Sequence, residues 1–96
     1  MIEVRKTDEF ADWLDNLRDG DARAKIEVRI VRLALGNFGD TKSVGGGVSE
    51  LRIDHGPGYR VYFTKRGLTI VILLCGGDKR TQAKDITRAQ KLAREV

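Results

Sequence analysis

The stretch GPGYRVYFTK, residues 56–65, joins a glycine-proline-glycine turn to a run of alternating residues. Val61 and Phe63 share one parity of this run, and Arg60 and Tyr62 share the other. Period-two alternation with one apolar side is typical of a strand that is buried on one face. The turn predicts that this strand pairs with the segment before it. Arg60 then lies on the polar side of a small sheet, and its role depends on what the neighbouring strands present there.

The regions on either side of this strand predict the element order strand, two helices, three strands, helix. Apolar residues recur at helical spacing at positions 10, 13, 14 and 17 and again at 22, 26, 30 and 33, and Thr7 or Asp8 can cap the first helix. Strands are predicted at 1–5, 48–54, 59–65 and 68–75, a loop at 36–47 and a C-terminal helix at 81–96. The sequence therefore predicts an α+β fold with a small antiparallel-rich sheet, in which the first two helices form a hairpin.

Length and composition favour one domain, residues 1–96, with 41% hydrophobic residues to build a core without a disulfide. Cys75 is the one cysteine and follows an apolar run, so we expect a buried, reduced thiol and a cytoplasmic setting. Met1 to Lys6 shows no signal-peptide pattern, and residues 70–75 are far fewer than the roughly 20 that cross a bilayer. We expect no membrane association.

Positive charge is concentrated in the second half of the chain. Residues 1–48 hold 8 Lys/Arg and 9 Asp/Glu, net −1, whereas residues 49–96 hold 10 and 5, net +5. A basic half is typical of a protein that binds a polyanion, although a solvated basic surface gives the same count.

The predicted strands place Arg52 and Arg60 side by side on the polar face of the sheet. Two arginines on adjacent antiparallel strands repel each other unless an anion lies between them. Glu50 or Asp54 can supply that anion, and so can a bound phosphate, which suits the planar guanidinium fork. The segment 78–80, Asp-Lys-Arg, brings further positive charge to the same edge.

The inventory of reactive side chains excludes most other chemistry. His55 is the one histidine, and no Cys, His or carboxylate set has metal-ligand spacing, so we expect neither a metal nor another cofactor. Cleavage of RNA by its own 2′-hydroxyl suits what remains, because the nucleophile belongs to the substrate. The protein then needs only to orient the phosphate, neutralise charge and move protons.

The runs SELRIDHGPGYRVYF (49–63) and LLCGGDKRTQAKDI (73–86) resemble toxins of bacterial type II toxin–antitoxin modules. The superfamily is RelE/ParE, and the nearest branch is the HigB-like group of addiction-module killer proteins. The resemblance extends to TDEFADWLDNL and NFGDTKSVGGGVSELR, and so covers nearly the whole chain. It implies an antitoxin partner, often a helix-turn-helix DNA-binding protein, and many such toxins cut mRNA on the translating ribosome.

The resemblance also implies site residues, which by motif are Arg60, Arg52 and either Lys79 or Arg80. We expect Arg60 to stabilise the scissile phosphate and Lys79 to act as base, with His55 as the next candidate for base. The residues expected to bind RNA are Lys84, Arg88 and Tyr62. Where RelE has a catalytic tyrosine this chain has Asp85 or Ile86, which leaves the proton-transfer roles open.

Two other functions fit the same sequence. ParE-type relatives poison DNA gyrase by binding, without chemistry of their own, and the fold and the Gly-Tyr-Arg unit are compatible with that activity. A chain whose toxicity has decayed would keep only its coupling to the antitoxin and the operator. The basic residues on both sides of the strand edge favour the ribonuclease.

Overall fold

The computed structural model describes all 96 residues as five strands and three helices. The elements in chain order are β1 (Glu3–Lys6), α1 (Asp8–Asp15), α2 (Gly20–Ala34), β2 (Thr41–Gly45), β3 (Val48–Ile53), β4 (Tyr59–Arg66), β5 (Ile70–Asp78), a short 3-10 turn (Lys79–Thr81) and α3 (Gln82–Glu95). None of the helices combines the length and the apolar content that a membrane-spanning segment needs.

The strands form one mixed sheet in the order β1-β5-β4-β3-β2. β2 to β5 make an antiparallel meander, and β1 pairs in parallel with β5 at the far edge. The α+β fold with an antiparallel-rich sheet and a C-terminal helix is confirmed.

The predicted loop at 36–47 is wrong in part, because Thr41–Gly45 within it form the edge strand β2. Thr41, Lys42, Ser43 and Gly45 pair with β3, and Gly46 and Gly47 make the hairpin turn. The three glycines have φ of +90°, +63° and +76°, a region that other residues rarely adopt. β2 is short, polar and at the sheet edge, so it carries no alternating apolar signal.

Helices cover both faces of the sheet and define two cores. Phe10 and Leu14 of α1 and Ile26 and Leu33 of α2 pack on one face. The opposite face packs against α3. Arg60 and Tyr62 belong to this second face, because Tyr62 is buried in the α3 core while Val61 and Phe63 are buried in the other. The side of β4 that the sequence marked as polar is therefore partly covered by α3.

β5 continues three residues beyond its predicted end at Cys75. Gly76 and Gly77 lie within this strand, and both positions require glycine because side chains of α1 and α3 approach the backbone closely there. A Cβ on Gly76 would lie 2.3 Å from the Trp13 ring, and one on Gly77 would lie 1.8 Å from Asp85 Oδ2. The strand consequently delivers residues 78–80 to the same end of the sheet as the start of β4.

Candidate functional site

An open groove lies at the end of the sheet where β3 stops and β4 begins. We call it the arginine groove, and its lining residues are Asp40, Arg52, Ile53, Asp54, Gly58, Tyr59 and Arg60. Arg52 and Arg60 are directly opposite each other in the β3–β4 register, as predicted. The turn formed by residues 56–58 sets this register, so that two guanidinium groups share one groove.

Arg60 is held on two sides by the protein. Its Nε donates to Glu50 Oε1 at 3.1 Å, and its Nη1 donates to the carbonyl of Gly58 at 2.7 Å. Nη2 has no hydrogen-bond partner within the chain. The side chain is 13% exposed and lines the groove.

Arg52 is more open and is held by a different carboxylate. Its Nε and Nη2 donate to Asp40 Oδ1 at 3.2 and 2.7 Å, and its side chain is 40% exposed. The sequence offered Glu50 or Asp54 as the anion near the two arginines. Glu50 is confirmed, because it pairs with Arg60, whereas Asp54 forms no ion pair. Sequence reasoning missed Asp40 because it lies just before the unpredicted strand β2.

Glu50 is buried beneath the groove, with a side chain that is 1% exposed. Besides Arg60, its Oε1 accepts from Gln82 Nε2 at 2.7 Å and faces the Tyr62 hydroxyl at 3.5 Å. Gln82 is the first residue of α3 and was not predicted as part of the site. An acidic residue within an otherwise apolar strand run is the sequence signal for such a buried network.

Tyr62 is fully buried, so it does not present its ring to RNA as predicted. The pKa of its hydroxyl is raised, mainly by burial and further by the negative charge of the neighbouring Glu50. Strand parity placed Tyr62 on the polar side, but α3 covers that part of the face. Cys75, in the same core, is buried as expected, and burial raises the pKa of its thiol to about 12.

Lys79 and Arg80 follow β5 and differ in their surroundings. A Cβ on Gly58 would lie 3.7 Å from Lys79 Cβ, which places Lys79 beside the groove wall, and Lys79 forms no ion pair. Arg80 is 77% exposed and pairs with Asp78 at 2.9 Å, a hydrogen bond that lowers the pKa of Asp78 and raises that of Arg80. This geometry favours Lys79 over Arg80 as the groove residue.

His55 is not brought into the groove. Its Nε2 lies 3.0 Å from Asp19 Oδ2, in the connection between α1 and α2, and its ring stacks on Tyr59 at 6.5 Å between centroids. A backbone N–H donated by Ala22, followed by the bond to His55, lowers the pKa of Asp19. His55 therefore ties the β3–β4 turn to the helical face, and its expected catalytic role has no support in the geometry.

Lys84 and Arg88 lie along α3 and outside the arginine groove. They share a polar hollow on the helix surface with Glu9, Asp85, Thr87, Lys91 and Arg94. Arg88 forms an ion pair with Glu9 of α1, with 2.5 Å between Nη2 and Oε1. Lys84 is exposed and forms no ion pair. No group of three or more His, Cys, Asp or Glu side chains is arranged to hold a metal ion.

Comparison with known proteins gives the family. Residues 12–94 match the model of the family described as Phage derived protein Gp49-like (DUF891). The chain belongs to the Gp49-like family. An uncharacterized protein of Haemophilus influenzae is 55% identical over 95 residues, which cover 99% of this chain and 96% of that protein. The Gp49-like family is of the addiction-module, toxin-like type, and a toxin of this type has a cognate antitoxin as partner.

Proposed function

We propose that this Gp49-like chain is the toxin of a type II toxin–antitoxin module and acts as a metal-independent mRNA endoribonuclease on the translating ribosome. The observation that carries the proposal is the facing pair Arg52 and Arg60, which line one open groove with Lys79 at its wall. The similarity of the residues around Arg60 to RelE/ParE toxins of the HigB-like group supports the same activity.

Two guanidinium groups in one groove can both contact a single phosphodiester. Arg60 offers one free nitrogen, Nη2, of a guanidinium whose Nε and Nη1 are fixed, and Arg52 lies opposite it on the next strand. Guanidinium groups that are already oriented stabilise a phosphorane-like transition state without reorganising at the moment of reaction. The attacking 2′-hydroxyl is part of the RNA, so positioning and charge neutralisation account for most of the catalysis.

Proton transfer is assigned to Lys79. A lysine can release a proton when its surroundings favour the neutral form, whereas an arginine stays protonated in proteins. Lys79 is also the cation at the groove wall without a carboxylate partner. His55 does not line the groove and lies beside Asp19 in the connection between α1 and α2, so it is not assigned this role.

The test is to induce the chain without its antitoxin and to map mRNA 5′ ends by primer extension, with and without a translation block. We expect new ends within translated codons that disappear when translation is blocked. Arg52→Ala should reduce cutting at least tenfold, because it removes one of the two guanidinium groups of the groove while breaking only an exposed ion pair. Arg18→Ala, an exposed arginine without an ion pair, is the matched control and should cut normally.

A gyrase supercoiling assay on the same cultures separates the alternative. Intact mRNA together with lost supercoiling would replace the ribonuclease with a gyrase inhibitor that acts by binding. Normal growth with neither effect would indicate that toxicity has decayed.

A further inference from the structure

We infer that Glu50 is a positioning residue that fixes the orientation of the Arg60 guanidinium in the groove. The inference rests on the proposed ribonuclease activity, and it assigns a role to a residue that contacts no substrate.

The contacts around Glu50 converge on one atom. Oε1 accepts from Arg60 Nε at 3.1 Å and from Gln82 Nε2 at 2.7 Å. Together with the Gly58 carbonyl on Nη1, this leaves Nη2 as the one guanidinium nitrogen of Arg60 without a protein partner. A planar guanidinium that is held at two of its nitrogens has a single orientation, and Nη2 is the nitrogen that stays available to a ligand of the groove that Arg60 lines.

Burial excludes a direct chemical role for the carboxylate. The Glu50 side chain is 1% exposed and lies under Arg60, so it cannot reach a 2′-hydroxyl that is bound in the groove. A base must come within hydrogen-bond distance of the proton it removes. Glu50 therefore acts through Arg60.

The charge of Glu50 matters as well as its shape. Arg60 is 13% exposed and lies opposite Arg52 in the strand register, where like charges destabilise the pair. Asp40 offsets the charge of Arg52, and Glu50 offsets that of Arg60. Without the negative charge below it, the Arg60 side chain gains freedom to turn away from Arg52, and the two guanidinium groups no longer meet at one phosphate.

The experiment compares Glu50→Gln with the wild-type chain in single-turnover cleavage of mRNA on purified translating ribosomes. The amide keeps the shape and an acceptor oxygen but removes the charge. We expect the rate at saturating ribosome concentration to fall at least tenfold and the half-saturating concentration to change less than twofold. Glu50 is buried and Arg60 stays in place in this variant, so a loss of orientation should affect the reaction more than the binding.

Two controls separate positioning from a loss of stability. Thr64→Val removes a buried hydrogen bond, Oγ1 to the Gly47 carbonyl at 2.7 Å, from the same strand without touching Arg60. Arg66→Ala removes hydrogen bonds from the same strand to the carbonyls of Ala93 and Val96, at 2.8 and 3.0 Å, and touches neither Glu50 nor Arg60. Both should cleave within threefold of the wild-type rate. Should Glu50→Gln not fold, Glu50→Asp withdraws the carboxylate by one methylene and should give the same slow cleavage.

The outcomes distinguish this inference from the function on which it rests. A wild-type rate in Glu50→Gln, or an equal loss of rate in Thr64→Val, would overturn the positioning role and leave the ribonuclease in place. No cleavage by the wild-type chain on ribosomes would overturn the ribonuclease itself.

Discussion

At the scale of single residues, the two arginines of the groove differ in how much the fold depends on them. Arg60 is the cation beside a carboxylate that is 1% exposed, whereas Arg52 pairs with Asp40, whose side chain is 59% exposed. Removal of one partner from a buried ion pair leaves an uncompensated charge, which is far more costly than the loss of an exposed pair.

We therefore expect Arg60→Ala to lower the free energy of unfolding by about 3–5 kcal/mol and Arg52→Ala by about 1 kcal/mol or less. Denaturant unfolding of the two purified variants measures the difference. The double variant Arg60→Ala with Glu50→Gln should recover part of the loss, because no buried charge is left unpaired. Equal losses in the two single variants would show that Glu50 is not buried against Arg60 in solution.

The same residues show what a sequence can and cannot predict about a site. The Arg52–Arg60 pairing follows from strand alternation and a tight turn, both of which are local. The partners Asp40 and Gln82 come from distant segments, and the burial of Tyr62 depends on where α3 packs. Single-sequence patterns report which side of a strand a residue occupies, but they do not report what covers that side.

At the scale of elements, the helices and central strands were predictable because each has a strong hydrophobic period. The core positions of α1 and α2 and the strands β3 and β4 lie within a residue or two of the prediction. β2 and the last residues of β5 were missed for opposite reasons. β2 has too few apolar residues to show a pattern, and the Gly76-Gly77 pair resembles a break although it serves close packing.

One contact links the helices on the two faces of the sheet. Arg88 of α3 pairs with Glu9 in the first turn of α1, and this hydrogen bond is the main cause that lowers the pKa of Glu9. A carboxyl whose folded pKa is depressed stabilises the fold above its unfolded pKa and loses that contribution as the pH falls through the folded pKa.

We expect Glu9→Gln to be less stable than the wild-type chain by about 1 kcal/mol or less at pH 7, because the pair is half exposed. This difference in the free energy of unfolding should persist down to about pH 4.5, the ordinary pKa of glutamate. Below that pH it should shrink, as the wild-type carboxyl protonates. Urea unfolding at pH 7, 5, 4 and 3 measures the gap. A gap that stays constant to pH 3 would mean that the effect of the substitution is not electrostatic.

At the scale of the whole molecule, positive charge lies on two surfaces, the arginine groove and the exposed side of α3. The arginine groove carries Arg52 and Arg60 with Lys79 at its wall. The exposed side of α3 carries Lys84 and the other basic residues of the polar hollow, of which Arg88 is already neutralised by Glu9. A chain of nucleotides that enters the groove and continues along α3 would meet Lys84 next.

If the proposed function is correct, this arrangement predicts how the binding of RNA should respond to salt. Phosphate contacts release counterions, and for single strands the slope of log K against log salt is about −0.7 for each contact. Contacts from Arg52, Arg60, Lys79 and Lys84 give a slope of about −3 by that rule. A 2′-O-methyl oligoribonucleotide, which lacks the nucleophile and cannot be cut, allows binding to be measured by fluorescence anisotropy without cleavage.

Lys84→Ala should weaken binding and reduce the magnitude of the slope by about 0.7, because one phosphate contact is lost. Its effect on the single-turnover rate at saturating ribosome should be less than threefold, since Lys84 lies outside the groove. Lys25→Ala, an exposed lysine on α2 across the sheet, is the matched control and should leave affinity and slope unchanged. An equal change in both variants would mean that the RNA responds to net charge and follows no defined path along α3.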